Sequence, residues 1–212
     1  MKIISTNIAK PTIVIKNGKE VQTGIYKKAI NKSIYLGLTD VIGDAVMDRK
    51  HHGGIDKACY LYSADHYSYW KKQFPKLDWS WGMFGENLTV EGLNETEINI
   101  GDIFNIGTAT VQVSEPRRPC SILGIRFGTQ KMVKLFNNST FSGIYVRVLK
   151  EGSVKTGDKL ILQDKSQELS IKKIFSLFTL KEKENLELAK QALSIDTLSE
   201  DCKDSIKRRF KI

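Results

Sequence analysis

The sequence predicts a mainly β fold: a closed or nearly closed barrel of short strands, interrupted by a few helices and followed by a small C-terminal appendage of three helices. Two observations lead to this fold class. Up to about residue 163, short apolar runs alternate with glycine and asparagine, a pattern typical of many short strands. Beyond that point, apolar residues recur at helical spacing. Closure into a barrel would remove the exposed edges that many short strands leave.

The first strands are predicted from a turn. Residues 12–16 lead into Asn17-Gly18, two residues that tolerate positive φ, and residues 20–23 follow as the partner strand. This pattern is typical of a tight β-hairpin. Later strands are predicted from apolar alternation and from glycine-aspartate turns. They are expected at residues 98–106, 108–113 and 144–149.

Helices are predicted inside the β region at two places. Residues 63–74 carry Asp65 in their first turn and end before Pro75, as a helix does when it meets a proline. Residues 121–136 are expected to hold one or two more helices. The β region therefore forms a predicted barrel domain over residues 1–163.

The C-terminal appendage is predicted over residues 166–212. Its first helix is expected at 171–178, and Thr179-Leu180-Lys181-Glu182 is a capping box that begins the second. Ser199 is expected to cap the third helix. About 45 residues rarely bury enough surface to fold alone, so we expect the appendage to dock on the barrel or on a partner. The apolar stripe of the third helix is Leu198, Cys202, Ile206 and Phe210.

Composition limits the classes of protein. The 212 residues are 41% hydrophobic and 27% charged, and the stretches of apolar residues are too short for a membrane span or a secretory signal, which predicts a cytoplasmic protein without a membrane partner. The net charge of +9 favours an anionic ligand. The lysines are spread along the whole chain and form no recognised reading element, so nucleic acid is not expected as the partner.

The three cysteines are predicted to be free thiols. They are odd in number, far apart, and form no C-x-x-C pair, so neither a disulfide framework nor a zinc knuckle is indicated. Cys202 falls on a helical apolar stripe and Cys59 falls in an apolar run, so both are interpreted as packing residues. Cys120 stands apart from them.

Cys120 ends the segment Ser114-Glu115-Pro116-Arg117-Arg118-Pro119-Cys120. Two neighbouring guanidinium groups stabilise a thiolate over a thiol, and the thiolate is the form that attacks electrophiles or binds a soft metal. The two prolines disfavour an interior strand. The sequence therefore predicts a reactive thiol on an ordered loop that follows a strand.

A second segment, residues 48–60, predicts an anion cradle. Gly53-Gly54 allows backbone amides to approach a ligand, and Arg49, Lys50 and Lys57 supply positive charge. The adjacent His51 and His52 do not predict a zinc site, because neighbours on a strand point to opposite faces and a third ligand at recognised spacing is missing. A solvated basic turn before a strand is the alternative interpretation.

Two further segments, residues 84–88 and 142–147, are ambiguous by themselves. Glu86 and Asn87 either read the hydrogen-bonding edge of a heterocycle or cap a turn. Arg147 lies in a predicted strand, where a buried cation needs an anion or a carboxylate partner. It is therefore expected to face solvent or to meet such a partner.

Taken together, four segments resemble the MOSC domain, the module related to the C-terminal part of molybdenum cofactor sulfurase. They occur in the family's order and run across roughly residues 25–162. The helical tail resembles that of the stand-alone bacterial members, which reduce N-hydroxylated purines such as 6-N-hydroxylaminopurine. One departure is Cys59, which stands where an aliphatic residue is usual. The four segments are residues 52–58, 84–88, 115–120 and 142–148.

The resemblance implies a MOSC-type β-barrel that binds molybdenum cofactor, with the catalytic Cys120 thiolate on the metal. It also implies the reduction of N-hydroxylated bases or related N-oxygenated compounds, a detoxification. His52 or Glu115 is expected to supply the protons, on the ground of proximity alone. The chain contains no G-x-G-x-x-G or Walker pattern, so electrons are expected from a separate reductase. The residues implied in cofactor binding are Arg49, His52, Gly53, Gly54, Lys57, Asn87, Arg117, Arg118 and Arg147.

Other functions remain open from the sequence. One is a carrier that holds cofactor or sulfur on Cys120 and passes it to another enzyme. Another is a metal-independent hydrolase or transferase with Cys120 as nucleophile and His52 as base. A third is a basic interaction module without catalysis. The sequence also leaves open whether the C-terminal helices cover the site or pair two subunits.

Overall fold

The computed structural model describes residues 1–179 and 185–212, and at residues 50 and 51 it describes the backbone alone. The strands are β1 (Lys2–Ile8), β2 (Thr12–Lys16), β3 (Lys19–Thr23), β4 (Lys28–Ile30), β5 (Ile34–Leu36), β6 (Cys59–Ser63), β7 (Leu88–Glu91), β8 (Ile103–Ile106), β9 (Ala109–Pro116), β10 (Ile144–Lys150), β11 (Gly152–Val154) and β12 (Leu160–Asp164). The α-helices are α1 (Arg49–His52), α2 (Tyr67–Gln73), α3 (Ser121–Arg126), α4 (Lys131–Ser139), α5 (Ile171–Thr179), α6 (Leu186–Leu193) and α7 (Glu200–Phe210).

The fold is mainly β with helices, as predicted. An eight-stranded sheet has the order β12-β8-β9-β10-β6-β7-β1-β4. Its neighbouring strands are antiparallel except for β6 and β7, which are parallel. Two small sheets accompany it, one formed by β2 and β3 and the other by β5 and β11.

The expected closure into a barrel is not found, because no ladder joins the outer strands β12 and β4 within the described residues. The reason lies in β1, the strand next to the edge. Its second half, Thr6 to Ile8, pairs with β4. Its first half meets the chain before β12 through the isolated bridge between Lys2 and Lys159. This contact is a single bridge and not a ladder, so it does not close the sheet into a barrel.

The predicted hairpin is confirmed. Asn17 and Gly18 both adopt positive φ, and β2 pairs with β3 from Thr12↔Thr23 to Lys16↔Lys19. The predicted strand 98–106 is shorter, because the chain turns at Gly101 (φ +87°) and pairing resumes only at Ile103. The glycine adopts a backbone conformation that other residues rarely reach, so the strand cannot run through it.

The C-terminal helices pack on the sheet. Ser199 caps α7 as predicted, since its Oγ accepts a hydrogen bond of 3.1 Å from the Cys202 N–H. The predicted capping box at 179–182 lies outside the described residues, apart from Thr179. One apolar core includes Val113 of the sheet together with Ile174 and Ile206 of the tail. Among the described residues, no helix is long and apolar enough to cross a membrane.

A second core is aromatic and lies on the helical side of β6. Tyr62 stacks on Phe84 with ring centroids 4.2 Å apart, and Trp70 stacks on Phe136 at 6.0 Å. The Trp70 indole N–H donates to the Tyr62 hydroxyl at 2.7 Å, so the one polar group of this buried ring is satisfied. Tyr60 and Phe84 of this cluster also line the pocket described next.

Candidate thiol site and its pocket

Cys120 lies between β9 and α3, on the loop that the sequence predicted. Pro116 is the last residue of β9, where it pairs with Ile144, and Cys120 precedes the first residue of α3 in an extended conformation (φ −124°, ψ 173°). A proline at the end of a strand costs the sheet little, because it removes a hydrogen-bond donor where pairing stops. The thiol is half-buried and faces a pocket.

The thiol of Cys120 is acidic. Its burial opposes ionisation, but a hydrogen bond with His52, the charges of Arg117 and His52, and a hydrogen bond with the Ile122 backbone outweigh it and lower the pKa from 9.0 to about 6. Cys120 is therefore mainly a thiolate at neutral pH. The sequence predicted the effect from two arginines, whereas the structure assigns it to His52 and one arginine.

His52 is the last residue of α1 and also faces the pocket. Its Nδ1 lies 3.5 Å from the hydroxyl of Tyr145, a buried residue of β10. The ring is thus placed between a phenol and the Cys120 thiol, which orients it toward the sulfur.

Arg117 is a buried cation, with 4% of its surface exposed. Its guanidinium carbon lies 5.1 Å from the centre of the Phe136 ring and 5.6 Å from that of Tyr60. Its Nη1 has no hydrogen-bond partner among the residues that the structure describes. Because a buried charge is costly without an anionic partner, this guanidinium fits a pocket that accepts an anion.

The side chain of Arg118 contacts α7, whereas that of Arg117 contacts the aromatic rings. Its Nη2 lies 2.6 Å from Oδ2 of Asp201, a residue of α7, and the same oxygen lies 2.6 Å from Nζ of Lys57. Glu115 is buried beneath this group, with Oε1 3.2 Å from Lys57 Nζ and Oε2 3.9 Å from Arg118 Nη2. Burial raises the pKa of Glu115 although both cations oppose the shift.

The side chain of Asn87 forms hydrogen bonds with other groups of the protein. Its Oδ1 accepts from the backbone N–H of Tyr60 at 3.2 Å, and its Nδ2 donates to Asp44 at 2.9 Å. Asp44 also accepts from the Ala9 N–H at 2.8 Å and forms a buried ion pair with Lys27. Lys27 and Asp44 line the pocket, and no sequence signal marked either of them.

The pocket has a volume of about 490 Å³. The hairpin β2–β3 covers one side, and α7 contributes residues on another, so the C-terminal helices line the site. Sequence reasoning did not place Asp201, Ser205 or Arg208 there, because nothing local to α7 distinguishes them from a solvated helix face. The predicted site residues that line it are His52, Lys57, Asn87, Glu115, Arg117, Arg118 and Cys120.

Four predicted residues do not line this pocket, and their role toward a cofactor stays a prediction. Arg49 is half-exposed and pairs with Asp40 at 2.8 Å. Gly53 and Gly54 lie in the turn after α1, where Gly54 has φ +96°. Arg147 meets a carboxylate partner, one of the two outcomes expected for it, and is described next.

Arg147 is held by groups of the protein itself. Its Nε and Nη2 donate to Oδ1 of Asp56 at 2.8 and 2.6 Å, and Nη1 donates to Gln112 at 3.0 Å. Nη2 also donates to the carbonyl of Thr197, the connection before α7, at 3.0 Å. These contacts fasten the C-terminal helices to the sheet.

Glu86 caps a turn, which settles the choice between its two interpretations. Its carboxylate accepts from the N–H groups of Gly82 at 2.9 Å and Phe84 at 3.1 Å, and from the hydroxyls of Thr89 and Tyr67. Gly85 has φ +81°, which a tight turn requires.

The other two thiols are core residues, as predicted. Cys59 and Cys202 are 0% exposed, and burial raises the pKa of each thiol. Neither lines the pocket. Cys59, the unusual residue in its segment, therefore packs beneath the Lys27–Asp44 pair.

The fold is thus mainly β, and its pocket is lined by an acidic thiol and by the buried Arg117, whose Nη1 has no hydrogen-bond partner among the described residues. The MOSC domain family model matches residues 48–161, which include every pocket segment from α1 to β10. The chain belongs to the MOSC domain family.

Individual proteins and solved structures are similar to this chain over most of its length. YflK of Bacillus subtilis (strain 168) is 36% identical over 207 residues, which are 98% of this chain and 93% of YflK. The crystal structure of YiiM from Geobacillus stearothermophilus has a TM-score of 0.82 at 32% identity and covers 99% of this chain and 98% of that one. A Gibberella moniliformis protein named "Reductase" is 32% identical over 70% of this chain, but the match spans 27% of that protein.

Proposed function

We propose that this protein is a molybdenum-cofactor-dependent reductase of N-hydroxylated bases or related N-oxygenated compounds. The observation that carries the proposal is the acidic Cys120 thiol, which faces the pocket that Arg117 also lines with a buried guanidinium whose Nη1 has no hydrogen-bond partner among the described residues. The similarity to a protein named "Reductase" supports the reaction class.

The residues present fit the cofactor. A thiolate is a soft anionic ligand of the kind that binds such metals, and Cys120 supplies one. Arg117 supplies a buried cation whose Nη1 has no hydrogen-bond partner among the described residues, which suits an anionic group of the ligand. His52, Lys57 and Arg118 line the same pocket and would complete its binding surface. When bound, the cofactor supplies the two-electron chemistry that breaks the N–O bond.

The reaction determines how many electrons and protons must reach the substrate. Reduction of an N–OH group to N–H breaks the N–O bond, consumes two electrons and two protons, and releases water. Glu115 has a raised pKa and lines the pocket, so it holds a proton at higher pH than an ordinary carboxyl and is suited to donate it. His52, beside Cys120, is the second group able to carry a proton. The electrons are proposed to come from a separate reductase.

Metal analysis tests the proposal. Wild-type protein and Cys120→Ser are purified without air from a host that makes the cofactor, and molybdenum is measured by inductively coupled plasma mass spectrometry. We expect about one molybdenum per chain in the wild type and almost none in the variant, because one thiolate binds the metal. Cys59→Ala is the matched control and should keep its metal. Reduction of 6-N-hydroxylaminopurine with an artificial electron donor should follow the metal content.

A second function has one specific observation in its favour. The hydrogen bond between His52 and Cys120 is also the arrangement of a metal-independent cysteine nucleophile with its base.

A carrier that passes cofactor to another enzyme would bind molybdenum but show no turnover. Metal-free wild-type protein, from a host whose cofactor pathway is verified as active, would contradict the reductase and favour the nucleophile.

A further inference from the structure

Asp201 pairs with two cations that also contact Glu115, the buried acid of the pocket. It comes from the first turn of α7, outside the segments that match the MOSC family model. Its Oδ2 lies 2.6 Å from both Lys57 Nζ and Arg118 Nη2. The same two cations lie farther from Glu115, at 3.2 and 3.9 Å. Two carboxylates therefore share two cations, and Asp201 has the shorter contact with each.

This sharing determines the charge that Glu115 experiences. An ion pair weakens with distance, so a cation drawn toward Asp201 stabilises an ionised Glu115 less. Asp201 also adds a negative charge of its own, which opposes the ionisation of Glu115. Both effects act in the same direction and keep the proton on Glu115.

We propose that Asp201 is a positioning residue that draws Lys57 and Arg118 toward itself, weakens their contacts with Glu115, and so keeps Glu115 protonated for delivery of a proton to the substrate. This inference rests on the proposed function, in which the reaction consumes protons. It assigns the C-terminal helix α7 a part in the chemistry in addition to forming a wall of the pocket.

The surroundings of Glu115 contain few other titratable groups. Tyr145 of β10 is its partner in the sheet register, and Cys202 of α7 also interacts with it electrostatically. Burial raises the pKa of both, so they are neutral near pH 7. The charge that acts on Glu115 therefore comes from Lys57, Arg118 and Asp201.

The first test needs no cofactor. Glutamate carboxyl carbons are labelled with ¹³C in the apoprotein, the Glu115 resonance is identified by its absence in Glu115→Gln, and its titration is followed by NMR. We expect an apparent pKa above the ordinary 4.5 in the wild type. In Asp201→Asn it should fall by about one unit. Glu200→Gln is the matched control, because it also removes one negative charge from the first turn of α7 but pairs with Lys203.

A second variant keeps the test valid if Asp201→Asn does not fold. Arg118→Gln removes one cation, so Asp201 can pair fully with Lys57, and the pKa of Glu115 should rise. A Glu115 titration that is unchanged, or that moves in the opposite direction in either variant, would overturn the inference.

The activity test uses the loaded enzyme and a double-mutant cycle. The alkaline limb of the kcat/KM profile should move to lower pH in Asp201→Asn, because Glu115 then loses its proton earlier. In a Glu115→Gln background the Asp201→Asn substitution should cause no further shift, whereas a merely structural role would give additive losses. If the wild type reduces no hydroxylamine, the proposed function fails while the NMR titration still decides the link between Asp201 and Glu115.

Discussion

The imidazole of His52, at the end of α1, is hydrogen-bonded to the thiol of Cys120, the residue that precedes α3. The two segments are joined through the sheet, because Tyr145 of β10 lies 3.5 Å from His52 and β10 pairs with β9. The acidity of the thiol is therefore a property of the tertiary structure as well as of the arginines next to it.

The reactivity of Cys120 should show this acidity. In the apoprotein, the rate of alkylation by iodoacetamide should rise with pH and level off above a midpoint near pH 6, because the thiolate is the reacting form. Peptide mapping assigns the label to Cys120, since Cys59 and Cys202 are buried. In His52→Phe the midpoint should move upward. A wild-type midpoint near the ordinary pKa of 9.0 would contradict the hydrogen bond between His52 and Cys120 and the acidity assigned to it.

The stability of the apoprotein should depend on the same group. The folded-state pKa of Cys120 lies below its unfolded value. The contribution of the thiolate to the free energy of unfolding is therefore complete above pH 9 and is lost as pH falls through 6. The difference in unfolding free energy between wild type and Cys120→Ser should grow between pH 6 and pH 9, by at most about 4 kcal/mol. Urea titrations at several pH values measure it. A difference that is constant with pH would show that the thiolate is not stabilised by the fold.

Arg117 should bind anions through Nη1, which has no hydrogen-bond partner among the described residues. Sulfate or phosphate should raise the melting temperature of the apoprotein, and Arg117→Met should lose most of this increase because the buried cation is gone. Arg49→Met is the control, since Arg49 pairs with Asp40 outside the pocket. Equal anion stabilisation in Arg117→Met and wild type would contradict the assignment.

Arg147 should act on stability and not on the pocket. Arg147→Met removes its hydrogen bonds to Asp56, Gln112 and the Thr197 carbonyl, and should lower the free energy of unfolding by about 1–3 kcal/mol. Urea unfolding of the apoprotein measures the loss. Molybdenum content should stay at the wild-type level in folded protein. Loss of metal without loss of stability would instead place Arg147 at the cofactor.

Much of this site was predictable because its signals are local. The hairpin turn, the ordered loop after β9 and the unusual chemistry of Cys120 each depend on neighbouring residues, whose backbone preferences and charges are fixed by their order. The two adjacent arginines show the limit of such reasoning. Arg117 enters the aromatic core and Arg118 meets Asp201, a divergence that depends on which elements pack on either side of the loop.

The sequence by itself determined a mainly β protein of the MOSC type with a helical tail and placed Cys120 on the loop after a strand. Only the tertiary structure decided that the sheet stays open, that α7 lines the pocket, and that Lys27, Asp44 and Asp201 belong to it. The physical reason is the range of the interactions. Turn conformation, helix caps and periodic apolar patterns act over a few residues, whereas ion pairs and shared burial join segments whose separation in the chain carries no signal.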